Sequence, residues 1–262
     1  MLLHCNFNSP TLRRNTDINV ILPTPREESQ VLTTGWPVLY LLHGMHGDYN
    51  SWVYNSNIIR YAEDHGVAVV MPSALNSFYQ DMVHGERFFT YLTEELPQYI
   101  QTLFPVSKKR EDTFIAGLSM GGYGAYLLAL SRPDLYSAAA SLSGALDMAF
   151  RATPLNLDAN AHKTSLPFFA EDCFGDMRTL PGSKSDIFAL YEKAAAAGQL
   201  PRLYQSCGTR DFLFGMNKLT YAALTKMGAH ITYREIDGMI HDWNCWELEI
   251  PRVLDWLMEK EV

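Results

Sequence analysis

Gly117-Leu118-Ser119-Met120-Gly121 places one serine between glycines at the end of an apolar run. The pattern suits a sharp strand-to-helix turn with the hydroxyl at its apex, where side chains two residues to either side would collide. A serine hydroxyl is a weak nucleophile at neutral pH. It needs a base within hydrogen-bond reach and a third group that orients the base. Histidine suits the first task because its ordinary pKa lies near neutrality. Of the eight histidines, three follow Ser119: His162, His230 and His241. His162 lies in an irregular stretch and His230 opens a strand, at the wrong end of it. His241 falls in a loop just past the last expected strand and is the expected base. Asp211, just past the preceding strand, is the expected acid, with Asp237 and Asp242 as alternatives. The plainer reading of Asp211 is a cap for the helix that follows it.

Attack by Ser119 on a carbonyl carbon would leave negative charge on the carbonyl oxygen, which backbone N–H groups must meet. One donor is expected from Met120, at the start of the helix after the serine, where N–H groups lack intrahelical partners. The second is expected from Met45, in the loop that follows His43-Gly44. His43 and His46 resemble a metal pair, but no carboxylate-rich motif supports one. Packing within the loop is the expected role, and no metal is expected.

These residues need a scaffold that brings strand ends together. Residues 37–44, 67–72 and 113–118 are apolar runs with no polar face, as in the middle of a sheet covered on both sides. Helical patterns follow each of them, and 137–143 is the next strand. Such alternation calls for parallel strands with right-handed crossovers and helices on both faces. Ligand sites in such sheets lie at the carboxyl ends of the strands. Residues 1–22 read as one or two antiparallel edge strands, and 23–34 as a polar loop. A helical pattern spans 50–65, another 87–103. The interval 145–200 leaves the rhythm and is expected to be a cap-like insertion in a single domain spanning 1–262. The rhythm resumes with a strand at 202–208, a helix at 215–227, a strand at 230–236 and a last helix.

With 262 residues, 47% of them hydrophobic, the chain can bury a substantial core without disulfides or metal. A net charge of −8 with no basic run beyond Lys108-Lys109-Arg110 argues against nucleic-acid or anionic-membrane partners. No apolar run is long enough to span a membrane. The N-terminus lacks a signal-peptide pattern and Cys5, Cys173, Cys207 and Cys245 are scattered, so a cytoplasmic location with free thiols is expected. A homo-oligomer is compatible with all of this.

The segments His43-Gly44-Met45-His46-Gly47, Gly117 to Ala125, Gly208-Thr209-Arg210-Asp211-Phe212-Leu213 and His241-Asp242-Trp243 together resemble the esterase D/S-formylglutathione hydrolase-like superfamily of α/β-hydrolases. The form of the first loop is similar to bacterial tributyrin esterases. It lacks the Leu-Thr-Cys-Thr segment of true S-formylglutathione hydrolases. The resemblance implies an α/β-hydrolase fold with Ser119 as nucleophile, Asp211 as acid and His241 as base, and Met45 and Met120 as oxyanion donors. It implies hydrolysis of small short-chain acyl esters, acetyl to butyryl, without a cofactor. Carbohydrate-directed acetyl or feruloyl esterases and thioesterases are related alternatives. Trp52 and Trp243, with Phe78, Tyr79, Phe168 and Phe169, are candidates for a substrate platform or for core packing. A non-catalytic binding module is the remaining reading, although no triad residue is missing.

Overall fold

The computed structural model describes residues 1–24, 35–152 and 170–258. Among these residues eight strands form one sheet: β1 (Leu2–Ser9), β2 (Arg14–Ile21), β3 (Val38–Leu42), β4 (Ala68–Pro72), β5 (Thr113–Leu118), β6 (Ala138–Leu142), β7 (Arg202–Gly208) and β8 (Ile231–Ile236). Their spatial order is β1-β2-β4-β3-β5-β6-β7-β8. β1 and β2 pair antiparallel at one edge, β2 joins β4 antiparallel, and β3 to β8 run parallel. The mostly parallel α/β-hydrolase-type sheet expected from the pattern is therefore present.

Every residue of β3, β4, β5 and β6 is buried, because both faces are covered. Alternate side chains feed two cores. Val38, Tyr40 and Leu42 join one, together with α3 (Phe88–Thr90), α4 (Leu96–Leu103), α5 (Met120–Ser131) and α7 (Ile187–Ala196). Leu39 and Leu41 join the other, with α1 (Ser51–Asn55), α2 (Ile58–His65) and α9 (Trp243–Leu257). Each fully buried aliphatic or aromatic side chain contributes about 1.5–3 kcal/mol to this assembly. α5 lies so deep that every residue from Met120 to Leu130 is buried, so it carries no polar stripe.

Three expected elements differ in detail. The helix expected over 50–65 breaks at Ser56, whose backbone is extended, so α1 and α2 are separate. The helix of 87–103 contains a π turn at Tyr91–Glu95 between α3 and α4. Pro97 has no N–H for the Thr93 carbonyl, and that oxygen accepts from Arg132 Nη1 at 3.1 Å instead. The interval 145–200 is not an insertion throughout. α7 is the crossover helix between β6 and β7 and packs on α5, capped by Asp186, whose carboxylate accepts from Phe188 N and Ala189 N. The short helix α6 (Ala170–Phe174) tucks Phe174 against Phe78 with ring centroids 5.1 Å apart. Residues 25–34 and 153–169, including His162, Phe168 and Phe169, lie outside the described residues.

The register sets the site. Leu42 pairs with Gly117, Leu118 with Leu142, and Gly208 with Ile236, so the carboxyl ends of these strands are level. From β3 the chain crosses to β4 on one side and later returns to β5 on the other. That reversal opens a crevice above the ends of β3 and β5.

Candidate active site

Ser119 stands at the end of β5 with φ 54° and ψ −117°, a conformation that a side chain tolerates only when its surroundings enforce it. The surroundings do so. Ser119 N donates to Leu142 O at 2.9 Å, and Ser119 O accepts from Gly122 N, Tyr123 N and Ala145 N. The glycines are required by contact rather than by flexibility. A Cβ on Gly117 would lie 2.4 Å from Gly121 O, and one on Gly121 would lie 2.6 Å from His43 O. Their absence lets the turn sit directly on the end of β3. The same closeness brings the Gly44 loop to the nucleophile, since a Cβ on Gly44 would stand 3.4 Å from Ser119 Cβ.

His241 follows β8 and bridges two partners. Its Nε2 is 3.0 Å from Ser119 Oγ and its Nδ1 is 2.8 Å from Asp211 Oδ2. The other carboxylate oxygen of Asp211 accepts from Leu213 N at 2.7 Å. Asp211 does not cap α8 (Phe214–Lys226), whose N-cap is Leu213 without a side-chain hydrogen bond; one of its oxygens steadies the turn before that helix and the other meets the imidazole. Burial pushes the Asp211 carboxyl up, but the hydrogen bonds with His241 and Leu213 N–H outweigh it and hold it below its ordinary value. Of the alternative acids, Asp242 turns away to cap α9 by accepting from Cys245 N, and Asp237 is exposed beside Thr209 Oγ1. His230 precedes β8 at the opposite end of the sheet. The line Asp211–His241–Ser119 has the geometry in which a base can accept the serine proton while a carboxylate holds its tautomer and steadies the imidazolium.

The backbone N–H groups of Met45 and Met120 find no acceptor among the described residues, and both residues line the cavity that holds Ser119 Oγ. Met120 N belongs to the first turn of α5, so the positive end of that helix adds to it. The loop carrying Met45 is fixed by His43. Its Nδ1–H donates to Gly44 O at 2.6 Å and its Nε2 accepts from Ala74 N at 2.9 Å. Both ring nitrogens are thereby occupied, and burial holds the ring's pKa down, so His43 is a neutral staple and not half of a metal pair. His46 is separate, with its backbone N–H on Asn76 Oδ1. Among the described residues no group of three or more His, Cys, Asp or Glu side chains is arranged to hold a metal.

The cavity measures about 820 Å³ and its walls are largely apolar, among them Phe78, Met148, Phe150, Met216 and Trp246. Trp243 lines it. Trp52 does not: it is buried, donates its Nε1–H to Leu42 O at 3.0 Å, and meets the Trp243 ring edge-on at 5.1 Å. It backs the cavity wall from within the core, because the register of α1 turns it toward β3. Tyr79 is likewise buried, with its hydroxyl on His43 O. Sequence reasoning missed Asn217, whose amide nitrogen donates to Gly144 O and Leu213 O and whose Oδ1 accepts from Gln205 Nε2. It ties the acid's turn to the turn that holds Ser119 O through Ala145. A lone asparagine inside a helix carries no spacing signal that would have revealed this.

Among the described residues no helix is long and apolar enough to cross a membrane. The chain is 34% identical over 262 residues to an acetyl esterase of Caldicellulosiruptor saccharolyticus, covering 98% of this chain and 97% of the relative. Its fold superimposes on FphF, a fluorophosphonate-binding serine hydrolase of Staphylococcus aureus, with a TM-score of 0.86, 31% identity and 98% of both chains covered. An S-formylglutathione hydrolase of the same organism, FrmB, matches with a TM-score of 0.84 and 30% identity over 98% of both chains. The model of the family described as putative esterase matches residues 9–257, and the chain belongs to that family.

Proposed function

We propose that the protein is a serine carboxylic ester hydrolase that cleaves short-chain acyl esters, acetyl to butyryl, through an acyl-Ser119 intermediate. The observation that carries this reading is the unbroken line from Asp211 through His241 to Ser119 Oγ, at 2.8 and 3.0 Å, beside two backbone N–H groups that find no acceptor among the described residues. His241 takes the Ser119 proton as Oγ attacks the carbonyl carbon. Met45 N–H and Met120 N–H hold the oxyanion, and removal of one such donor elsewhere costs about 10²–10³ in rate. Collapse of the tetrahedral adduct breaks the bond to the alcohol oxygen, which leaves with the proton from His241. Water then enters and gives a proton to His241 as its oxygen bonds the acyl carbon; the bond from that carbon to Ser119 Oγ breaks, Oγ takes the proton back from His241, and the acid leaves. The similarity to an acetyl esterase supports the short acyl range.

The test is turnover of p-nitrophenyl acetate and butyrate by wild type and Ser119→Ala, with labelling by a fluorophosphonate. Wild type turns over both and is labelled at Ser119, while the variant does neither. Equal turnover by the two proteins sinks the assignment. The similarity to an S-formylglutathione hydrolase motivates one further arm, S-formylglutathione against the oxygen esters, with the oxygen esters expected to be preferred.

A further inference from the structure

Phe212 stands apart from the other large apolar residues of the cavity. Phe78, Met148 and Trp246 are 2, 4 and 6% exposed, whereas Phe212 is 78% exposed. Its ring is also 4.4 Å, centroid to centroid, from the imidazole of His241, tilted by 50°. Trp246 meets the same imidazole edge-on at 5.0 Å from the buried side.

The exposure is built in. Thr209 N donates to Ile236 O, Arg210 N to Met239 O and Asp211 N to Gly208 O, so the turn before Phe212 is pinned to the ends of β7 and β8. Leu213 N is held by the Asp211 carboxylate and Phe214 N by Asp211 O. Asp211 must face inward to reach His241, and the residue after it in so tight a turn projects outward. A phenyl ring is therefore presented to solvent from a pinned backbone at the mouth of the cavity, against the base.

The base also fixes where the alcohol of an ester must lie. The imidazolium formed by taking the Ser119 proton returns that proton from Nε2 to the leaving oxygen, which must come within about 3 Å of it. For an alcohol whose carbon substituent runs from Nε2 toward the mouth, the exposed ring of Phe212, 4.4 Å from the imidazole, is the apolar face it meets. We infer that Phe212 is a specificity-determining residue for the leaving alcohol and selects esters whose alcohol carries a flat apolar face one carbon from the ester oxygen. This inference rests on the proposed esterase reading. Because the backbone that carries the ring is already pinned, no loop has to be ordered when such a group binds. In the step concerned the Ser119 Oγ–acyl bond forms, the acyl–alcohol bond breaks, and the alcohol departs with the His241 proton.

The test compares kcat/KM for benzyl acetate and ethyl acetate, which share an acyl group and a primary carbon on the ester oxygen and differ in the phenyl that this carbon carries. Taking each variant's benzyl-to-ethyl ratio relative to wild type cancels the intrinsic difference in reactivity. It uses wild type, Phe212→Ala, Phe212→Leu and Phe212→Tyr, with active sites counted by fluorophosphonate titration. The benzyl-to-ethyl ratio is expected to fall about tenfold in Phe212→Ala, less in Phe212→Leu, and to be kept in Phe212→Tyr, the size of effect one apolar contact gives. The acid limb of the kcat/KM pH profile is expected to stay in place. A ratio within about twofold of wild type in Phe212→Ala overturns the inference, as does a shifted acid limb with an unchanged ratio, which would assign the ring to the environment of His241. Absence of turnover of either ester by wild type would instead count against the esterase reading.

Discussion

Replacing Asp211 by asparagine asks the site to work with the same shape and the wrong hydrogen-bond chemistry. The carboxylate accepts on both oxygens, from Leu213 N at 2.7 Å and from His241 Nδ1 at 2.8 Å. An asparagine has one oxygen for these two donors. If the oxygen stays with Leu213 N, the amide NH₂ faces Nδ1, which must then accept, and the ring proton moves to Nε2, where it blocks transfer from Ser119. If the amide is flipped, the productive tautomer survives but the NH₂ confronts the part-buried Leu213 N–H, at a cost of about 1–3 kcal/mol for the unsatisfied donor. Even in that orientation the imidazolium loses its charged partner, worth about 1.5–3 kcal/mol. The two losses sum to about 2.5–6 kcal/mol, or roughly 10²–10⁴ in kcat/KM at about 1.4 kcal/mol per decade. The assay is initial-rate hydrolysis of p-nitrophenyl acetate, normalised to folded protein by circular dichroism. Activity within about tenfold of wild type refutes the reasoning. The same substitution has a stability signature. The Asp211 carboxyl is held below its ordinary value in the folded state, so its contribution is present above the unfolded value and is lost as pH falls through the folded one. Urea titrations of Asp211→Asn from neutral pH down into the carboxylate range are expected to lack that part of the acid destabilisation.

Two other substitutions test the packing around the site. Gly121→Ala sets a methyl group 2.6 Å from His43 O and 2.7 Å from Leu42 O, both backbone atoms that cannot yield without moving the Met45 loop. A loss of about 1–3 kcal/mol is expected, read as a fall in Tm, and a larger proportional loss in kcat; unchanged values would show that the turn does not rest on β3. Trp52→Phe leaves Leu42 O without its donor. It is expected to cost about 1–3 kcal/mol in urea unfolding while KM for p-nitrophenyl acetate stays within about twofold, and a raised KM with unchanged stability would return Trp52 to the substrate site.

The serine turn, the parallel strands and the order of Ser119, Asp211 and His241 were legible in the sequence because each rests on local chemistry. Glycines at fixed offsets mark a turn that only they fit, and apolar runs with no polar face mark strands covered on both sides. Chain order alone left Asp211, Asp237 and Asp242 all eligible. The tertiary structure separates them because the level ends of β7 and β8 bring Asp211 to Nδ1, while Asp242 is consumed by capping α9 and Asp237 faces solvent. The same limit explains Trp52 and Phe212. A sequence shows that a side chain is aromatic, but burial is decided by which way its element is turned. α1 turns Trp52 onto β3, and the pinned turn after β7 turns Phe212 outward onto His241. The chemistry available to this protein was thus written in residue types and spacing. Which aromatic stands exposed against His241 was decided only when the strand ends came into register.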